Sequence, residues 1–346
     1  MTLQLNGTNG LTFNDGSLQP SAASGKNLII NGDMAIDQRN AGASITPTNA
    51  QYTIDRFNGF ASQASKYTVQ QNAGAIASPS KFYYYLGATS SSAYSIVAAD
   101  FFALNQAIEG FNALKLNWGR ADAQTVTLSF WARSSLTGTF GGSLRNRVPN
   151  RSYPYTYTID SANTWEYKTI TIPGDTSGTW SGTNTVGIYV SFGLGVGSTF
   201  SGSAGSWAAN NYISASGAVS VVGTSGATLY ITGVQLETGT KATPFENLRY
   251  EQQLALCQRY FQTFSHAWVG VSGGAGYFQS TQGTFNTAMR TTPTATRTGG
   301  SSTTRYPSSS WAVYTKTAQR MVSRVAAASA GGNEGWTASG ILEAEL

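Results

Sequence analysis

The chain has 346 residues, of which 40% are hydrophobic and only 11% charged. Its formal charge of +5 is spread over 21 Lys and Arg. No basic run is long enough to follow a phosphate backbone, so nucleic-acid binding is not expected. One cysteine, Cys257, and one histidine, His266, exclude an internal disulfide, a cysteine-based zinc site and a histidine triad.

Aromatic residues at 12% argue against disorder. Short β-prone runs separated by Gly, Ser and Asn turns indicate an all-β protein with long loops. Sparse surface charge suits a chain that hides much of its surface in an oligomer or a larger assembly. The first residues, MTLQLNGTNG, carry no basic segment followed by an apolar one. No stretch reaches the roughly 18 apolar residues of a membrane span. Synthesis in the cytoplasm without membrane insertion is therefore expected.

Residues 1–26 read as two short strands and a linker, with Leu3, Leu5, Leu11 and Phe13 alternating around Asn-Gly turns. So small a unit needs a partner surface. It packs on the next domain, or it pairs with copies of itself or another protein, and the second is preferred.

Residues 27–246 form the main domain. Strands are expected at Leu28–Ile36, Arg56–Phe60, Tyr67–Gln70, Phe82–Leu86, Ser95–Glu109, Ala113–Leu116, Val126–Ala132, Thr139–Leu144, Tyr155–Ile159, Glu166–Ile172, Val186–Gly195 and Thr228–Leu236. Many alternating strands with no helix between them mean an antiparallel jelly-roll β-sandwich, whose first and last strands pair. Trp131 and Trp165 are expected in its core. Glu246 to Gln262 turns helical, with Leu248, Leu254, Leu256, Tyr260 and Phe261 as apolar points. These are too many for one narrow stripe and mark the helix, 247–262 in the domain division, as a candidate oligomer interface. Cys257 within it reads as a buried structural thiol. Residues 263–346 read as a small C-terminal β domain, with loops at Ser301–Thr304 and Ala330–Asn333 and a strand at Gly276–Phe278 among its elements.

Several segments, taken in order, resemble a family of bacteriophage tail-fibre and virion-appendage proteins. They are Asn27–Met34 with Ile36–Arg39, Tyr52–Phe57, Val126–Ser134, Trp165–Ile172 running to Thr176, Gly233–Glu237 with Ala242–Glu246, Leu256–Tyr260, Met289–Thr294 and Ile341–Leu346. The resemblance implies a carbohydrate-binding-module-like jelly roll in a homotrimeric fibre of the virion. That fibre would be held to other virion proteins through residues 1–26 and would touch host surface polysaccharide. Related sugar-binding jelly rolls often hold calcium with carboxylates near the first and last strands. Here the last strand lacks that acidic pair, leaving Asp33, so no metal is expected.

Glycan binding needs aromatic faces open to solvent and a few convergent polar groups. Tyr153, Tyr155, Trp180, Trp207 and Tyr212 lie in or beside polar loops and are the candidates, each of them alternatively a lid on the sandwich or part of a subunit interface. Arg147 and Arg151 join them from the basic loop Arg145–Pro154, which would meet anionic polysaccharide or a neighbouring subunit's acidic groups, or stay solvated. No nucleophile elbow, phosphate loop, zinc pattern or cofactor motif appears, and no catalytic residue is assigned. The expected function is host adhesion without catalysis. The alternative is a purely structural component, a head fibre, collar or tail adaptor, that binds only virion proteins.

Overall fold

The computed structural model describes residues 4–6, 10–12, 18–19, 25–79, 81–148, 150–272, 278–301, 311–326 and 331–346. Near the N-terminus, β1 (Gln4–Asn6), β2 (Gly10–Thr12) and β3 (Leu18–Gln19) form a small antiparallel sheet. Leu3 and Phe13, and the Asn-Gly turns around them, lie outside the described residues in whole or in part.

The sandwich follows. Its strands are β4 (Gln51–Ile54), β5 (Phe57–Ala61), β6 (Tyr67–Gln71), β7 (Leu86–Ser90), β8 (Phe101–Glu109), β9 (Val126–Ser134), β10 (Gly138–Asn146), β11 (Ser152–Ile159), β12 (Glu166–Ile172) and β13 (Val186–Val196). Two-residue strands β14 (Ser201–Gly202) and β15 (Ser214–Ala215) sit in the long loop before β16 (Thr228–Thr238). One sheet has six strands in the order β11-β10-β13-β8-β5-β4. The other has five, β12-β9-β16-β7-β6. Every pairing in these two sheets is antiparallel, and the chain crosses repeatedly from one to the other, as a jelly roll requires. Period-2 alternation builds the core. In β9, Val126, Leu128, Phe130 and Ala132 point inward, and they meet Phe140, Leu144, Val190 and Phe192 from the opposite sheet.

Four expected strands take another form, of which Phe82–Leu86 is irregular up to Tyr85, with β7 beginning only at Leu86. Leu28–Ile36 is irregular because Asn31 and Met34 adopt left-handed φ of 62° and 61°. Asn31 is fully buried, and its side chain bonds Ile36 twice and the Asp55 carbonyl, replacing a ladder. The segment still runs beside the closing strand, with Leu28 N bonded to the Leu236 carbonyl and Val234 N to that of Gly32. Ala113–Leu116 is not a strand either. Short helix α1 (Gly110–Ala113) leads into a 3-10 turn, closed by Asn117 at φ 53°. Finally, the chain stays irregular from Ser95 to Asp100, and β8 begins only at Phe101.

Helix α2 (Tyr250–Gln258) is shorter than the apolar pattern suggested. Phe261 and Gln262 already belong to β17 (Phe261–Ser272), which pairs along its length with β22 (Gly331–Glu343). With β19 (Thr294–Gly299) they form one three-stranded sheet, and β18 (Phe278–Thr284), β20 (Trp311–Lys316) and β21 (Arg320–Ala326) form another. Gly331–Asn333, expected as a loop, are part of β22, while Ala330, Gly276, Tyr277 and Ser302–Thr304 lie outside the described residues. Trp336, Ala338, Met321 and Leu342 are among the buried points of this domain. His266 is nearly buried, its Nδ1 2.9 Å from Ser323 Oγ, and burial pulls its pKa below the ordinary value.

The two domains meet through a buried ionic joint. Arg56, 1% exposed, bonds Glu345 and the Ala107 carbonyl and lies 3.6 Å over the Tyr260 ring. Arg39 holds Glu343 and Glu345 at 2.6 Å each and covers Phe261 at 4.0 Å. Tyr260 donates its hydroxyl to Glu109 at 2.8 Å. Tyr260 and Phe261 are therefore buried within this chain and do not form a subunit interface. Leu248, Leu254 and Leu256 are half-buried, and α2 instead buries Gln253 and Cys257. Burial pushes the Cys257 thiol well up, as expected of a structural cysteine.

Candidate glycan-binding groove

The sequence candidates separate on inspection. Tyr153 and Tyr155 point inward from β11 and are buried in the core, Tyr155 donating to the Ser191 carbonyl at 2.8 Å. Neither offers a face to a sugar. Trp180 and Trp207 join Trp118 in a triad of edge-to-face rings, with centroid distances of 4.7, 5.2 and 5.5 Å. Tyr153 packs edge-on against Trp207 at 5.3 Å. Each indole N–H is taken by a nearby loop acceptor: Gln124 O for Trp118, Ser177 O for Trp180 and Pro173 O for Trp207. The triad plugs one end of the sandwich. Arg151 makes a side-on pair with buried Asp175, Nε to Oδ2 at 2.8 Å and Nη2 to Oδ1 at 2.5 Å. Attraction to Asp175 raises the Arg151 pKa, and the residue is committed there. Arg147 is exposed on its loop. Tyr212 is half-buried, its ring against Gly202 and its hydroxyl accepting from Asn210 at 3.1 Å.

The aromatic surface that is open lies on the outer face of the five-stranded sheet. Because Phe130 and Ala132 point inward, Trp131 points outward and is half-buried, not in the core as its strand setting suggested. Antiparallel register places Tyr167 directly opposite it, and the rings lie 5.4 Å apart at 48°. Tyr167 is 46% exposed. Trp165 sits higher on the same sheet against Tyr85 and Tyr230, its N–H bonded to the Ala77 carbonyl at 2.9 Å.

A bulge in β16 shapes the opposite wall. Gly233 has φ 60°, and a Cβ there would stand 2.6 Å from the Phe82 ring. Glycine thus lets the Phe82 ring seat on the strand. Phe245 meets Phe82 edge-on at 5.2 Å. Its segment is tied down by Thr243 to Glu237 at 2.8 and 2.6 Å and by Glu246 N to Gln235 at 2.9 Å. Between these walls runs an open groove of about 400 Å³, with Ser129, Lys81 and Asn247 as its polar lining. That volume is within the range of small-ligand sites. Tyr83 and Tyr84, 87% and 39% exposed, extend the aromatic surface from the segment that carries Phe82.

Other features read as structural. A hollow of about 630 Å³ lies at the joint, but its arginines and glutamates are already paired. Asp33 is held by Gln253, and burial raises its pKa. Among the described residues no cluster of three or more His, Cys, Asp or Glu is arranged to hold a metal ion.

No protein-family model matches the chain, and no curated protein sequence matches it. Solved structures to which parts of the chain show a likeness include the enzymatically active domain of tailspike protein 4 from bacteriophage CBA120. It has 12% identity and a TM-score of 0.33, over 62% of this chain and 22% of that one. A CBM4 structure matches 60% of this chain and 98% of its own, with 16% identity and a TM-score of 0.30. The family 11 carbohydrate-binding module from Clostridium thermocellum, in complex with a β-1,3-1,4-mixed-linked tetrasaccharide, matches 57% of this chain and 97% of its own, with 11% identity and a TM-score of 0.27. The matched region thus spans under a quarter of the tailspike but nearly all of each module. The jelly-roll assignment stands on the strand order itself.

Proposed function

We propose that this chain is a phage virion fibre or appendage protein that adheres to the host surface by binding glycan in the Trp131–Tyr167 groove. The observation that carries the reading is a cross-strand aromatic pair with ring surface left open to solvent beside Ser129, Lys81 and Asn247. Pyranose rings stack on such faces, and neighbouring donors and acceptors orient them. Among the described residues no carboxylate lines the groove, which favours recognition over bond cleavage. In this reading residues 1–26 attach the chain to other virion proteins. Three copies assemble along α2 and gain avidity from weak individual sites.

The test is binding of the intact protein to polysaccharide extracted from host cells, measured by calorimetry and by phage adsorption. One Trp ring face covers about 100 Å², so Trp131→Ala removes about 2.5 kcal/mol of contact, roughly 70-fold in affinity. Tyr167→Ala weakens binding in the same direction. Unchanged binding in both variants refutes the groove. Normal adsorption by particles lacking the protein favours the purely structural component.

A further inference from the structure

The Trp131–Tyr167 groove carries a charge that the chain does not answer. Of the residues that line it, only Lys81 is charged at neutral pH. Its side chain is exposed, and so is that of Asn247 across the groove. Among the described residues neither side chain has a hydrogen-bond or ion-pair partner. Both stand in an open space of about 400 Å³, within reach of a ligand.

The backbone holds Lys81 in a costly state. Its φ of 79° lies in the left-handed region, which L side chains resist and glycine adopts freely. The turn that carries it is closed twice. Phe82 N donates to the Pro79 carbonyl at 3.1 Å, and Ser78 Oγ donates to the Phe82 carbonyl at 2.5 Å. The Phe82 ring then seats on Gly233. The root of Lys81 is thus fixed at the groove, while its four-carbon stem can turn toward a ligand. Glycine would satisfy the same turn without strain, so the turn alone does not call for a lysine. Strained residues of this kind concentrate at ligand sites.

The carboxylates on the neighbouring segments are engaged elsewhere. Glu246 accepts from Gly25 N and Asn27 N at 2.5 and 2.9 Å. Glu237 accepts from Gln235 and from Thr243 N, each at 2.8 Å. Glu166 lies on the other side of β12 from Tyr167 and pairs with Lys168 at 2.6 Å. Lys26 adds a second cation behind the wall, its Nζ on Thr243 Oγ1 and the Pro244 carbonyl at 2.5 and 2.6 Å. The groove therefore offers ring faces, a carboxamide and an unpaired ammonium. Ring faces take the apolar side of a pyranose, and a carboxamide takes hydroxyls. A lysine acts as a point charge and suits a single anionic oxygen. Resting on the glycan reading of this groove, we propose that its ligand is an acidic saccharide. A carboxylate or sulfate ester of the saccharide pairs with Lys81 while one of its rings stacks on Trp131 and Tyr167.

The test is calorimetry of the intact chain with oligomers of galacturonate and of sulfated galactose. Each is compared with its carboxyl-reduced or desulfated form, at low salt and at about 0.15 M salt. At low salt at least one acidic sugar is expected to bind about three- to five-fold more tightly than its neutral form, the most that a solvent-exposed ion pair contributes. The gap narrows at the higher salt. Which acidic sugar shows it separates carboxylate from sulfate ester. Lys81→Gly, which suits the left-handed turn and so keeps the fold, abolishes the preference, and Lys81→Arg retains it. Trp131→Ala weakens binding of acidic and neutral forms together. Equal affinity for the two forms, both weakened by Trp131→Ala, overturns the acidic ligand and leaves the groove standing as a glycan site. A preference that survives in Lys81→Gly overturns it too, as does failure of every acidic sugar tested to bind. Binding that Trp131→Ala leaves unchanged removes the groove and this proposal with it.

Discussion

Replacing Trp207 by alanine tests whether the loop tryptophans are sugar platforms or a plug. In the structure its ring packs edge-on against Trp118, Trp180 and Tyr153 at 5.2, 5.5 and 5.3 Å, and its N–H bonds the Pro173 carbonyl at 2.7 Å. Edge-to-face pairs contribute about 0.5–1.5 kcal/mol each beyond buried area, and the hydrogen bond about 1 kcal/mol. These contributions overlap, and fully buried Trp→Ala changes cost about 3–5 kcal/mol, so a half-buried one should cost about 3 kcal/mol. For a domain of this size each kcal/mol lowers the melting temperature by about 2–4 °C. A drop of about 6–12 °C in calorimetry is therefore expected, with loss of near-ultraviolet dichroism from the coupled indoles. Below the new transition, glycan affinity per folded molecule stays within two-fold of wild type. A variant that melts at the wild-type temperature and loses glycan binding refutes the plug and restores the sequence-based expectation for Trp207.

Two further outcomes follow from the same structure. Burial pushes Asp55 up to about 6 from an ordinary 3.8, so between those values the folded chain holds a proton that the unfolded chain has lost. Stability carried by Asp55 is thus present below about pH 4 and lost as pH rises through 6, by about 3 kcal/mol. Denaturant titrations at pH 4 to 7 should show this slope in wild type relative to Asp55→Asn, and parallel curves would refute it. For the proposed trimer, Leu254 is half-buried on α2 beside the 63% exposed Tyr250. Light scattering should find three chains per particle in wild type and a smaller species in Leu254→Asp, and a wild-type monomer at micromolar concentration sinks the assembly.

The sandwich was legible because its strands obey a period of two. The run Val126–Ala132 reveals both the inward face and, by the same alternation, an outward Trp131. Strand setting alone suggests a core place for Trp131, but only its parity says which face it takes. The groove itself was not legible, since Phe82, Trp131, Tyr167 and Phe245 come from four separate segments. Only the register of β9 with β12 and the bulge at Gly233 bring them together. Trp180 and Trp207 sit in polar loops and read as sugar platforms, as lids on the sandwich or as interface residues, and those loops fold back and pack the half-buried rings against Trp118. Leu28–Ile36 looks like a strand from its apolar residues, but Asn31-Gly32-Asp33 within it is a turn signal, and Asn31 and Met34 adopt the left-handed conformations that break the strand.

The segments that resemble phage appendage proteins fall, in space, into two places. Gln38 and Arg39, Asp55 and Arg56, Arg259 and Tyr260, and the Glu343–Glu345 end converge on the joint. Val126–Ser134, Trp165–Ile172, Gly233–Glu237 and Ala242–Glu246 converge on the groove. An apolar joint would stabilise the pair of domains at least as well, because buried ion pairs lose most of their attraction to desolvation. What a network of fixed hydrogen bonds adds is direction. Arg39 and Arg56 are each held by bonds and by a ring beneath the guanidinium, Phe261 and Tyr260 respectively, so Glu345 has one place to sit. The C-terminal domain is thereby oriented on the sandwich and not merely attached to it. In a multivalent adhesin that orientation sets where each groove points relative to its copies, and avidity fails when geometry forbids simultaneous contact.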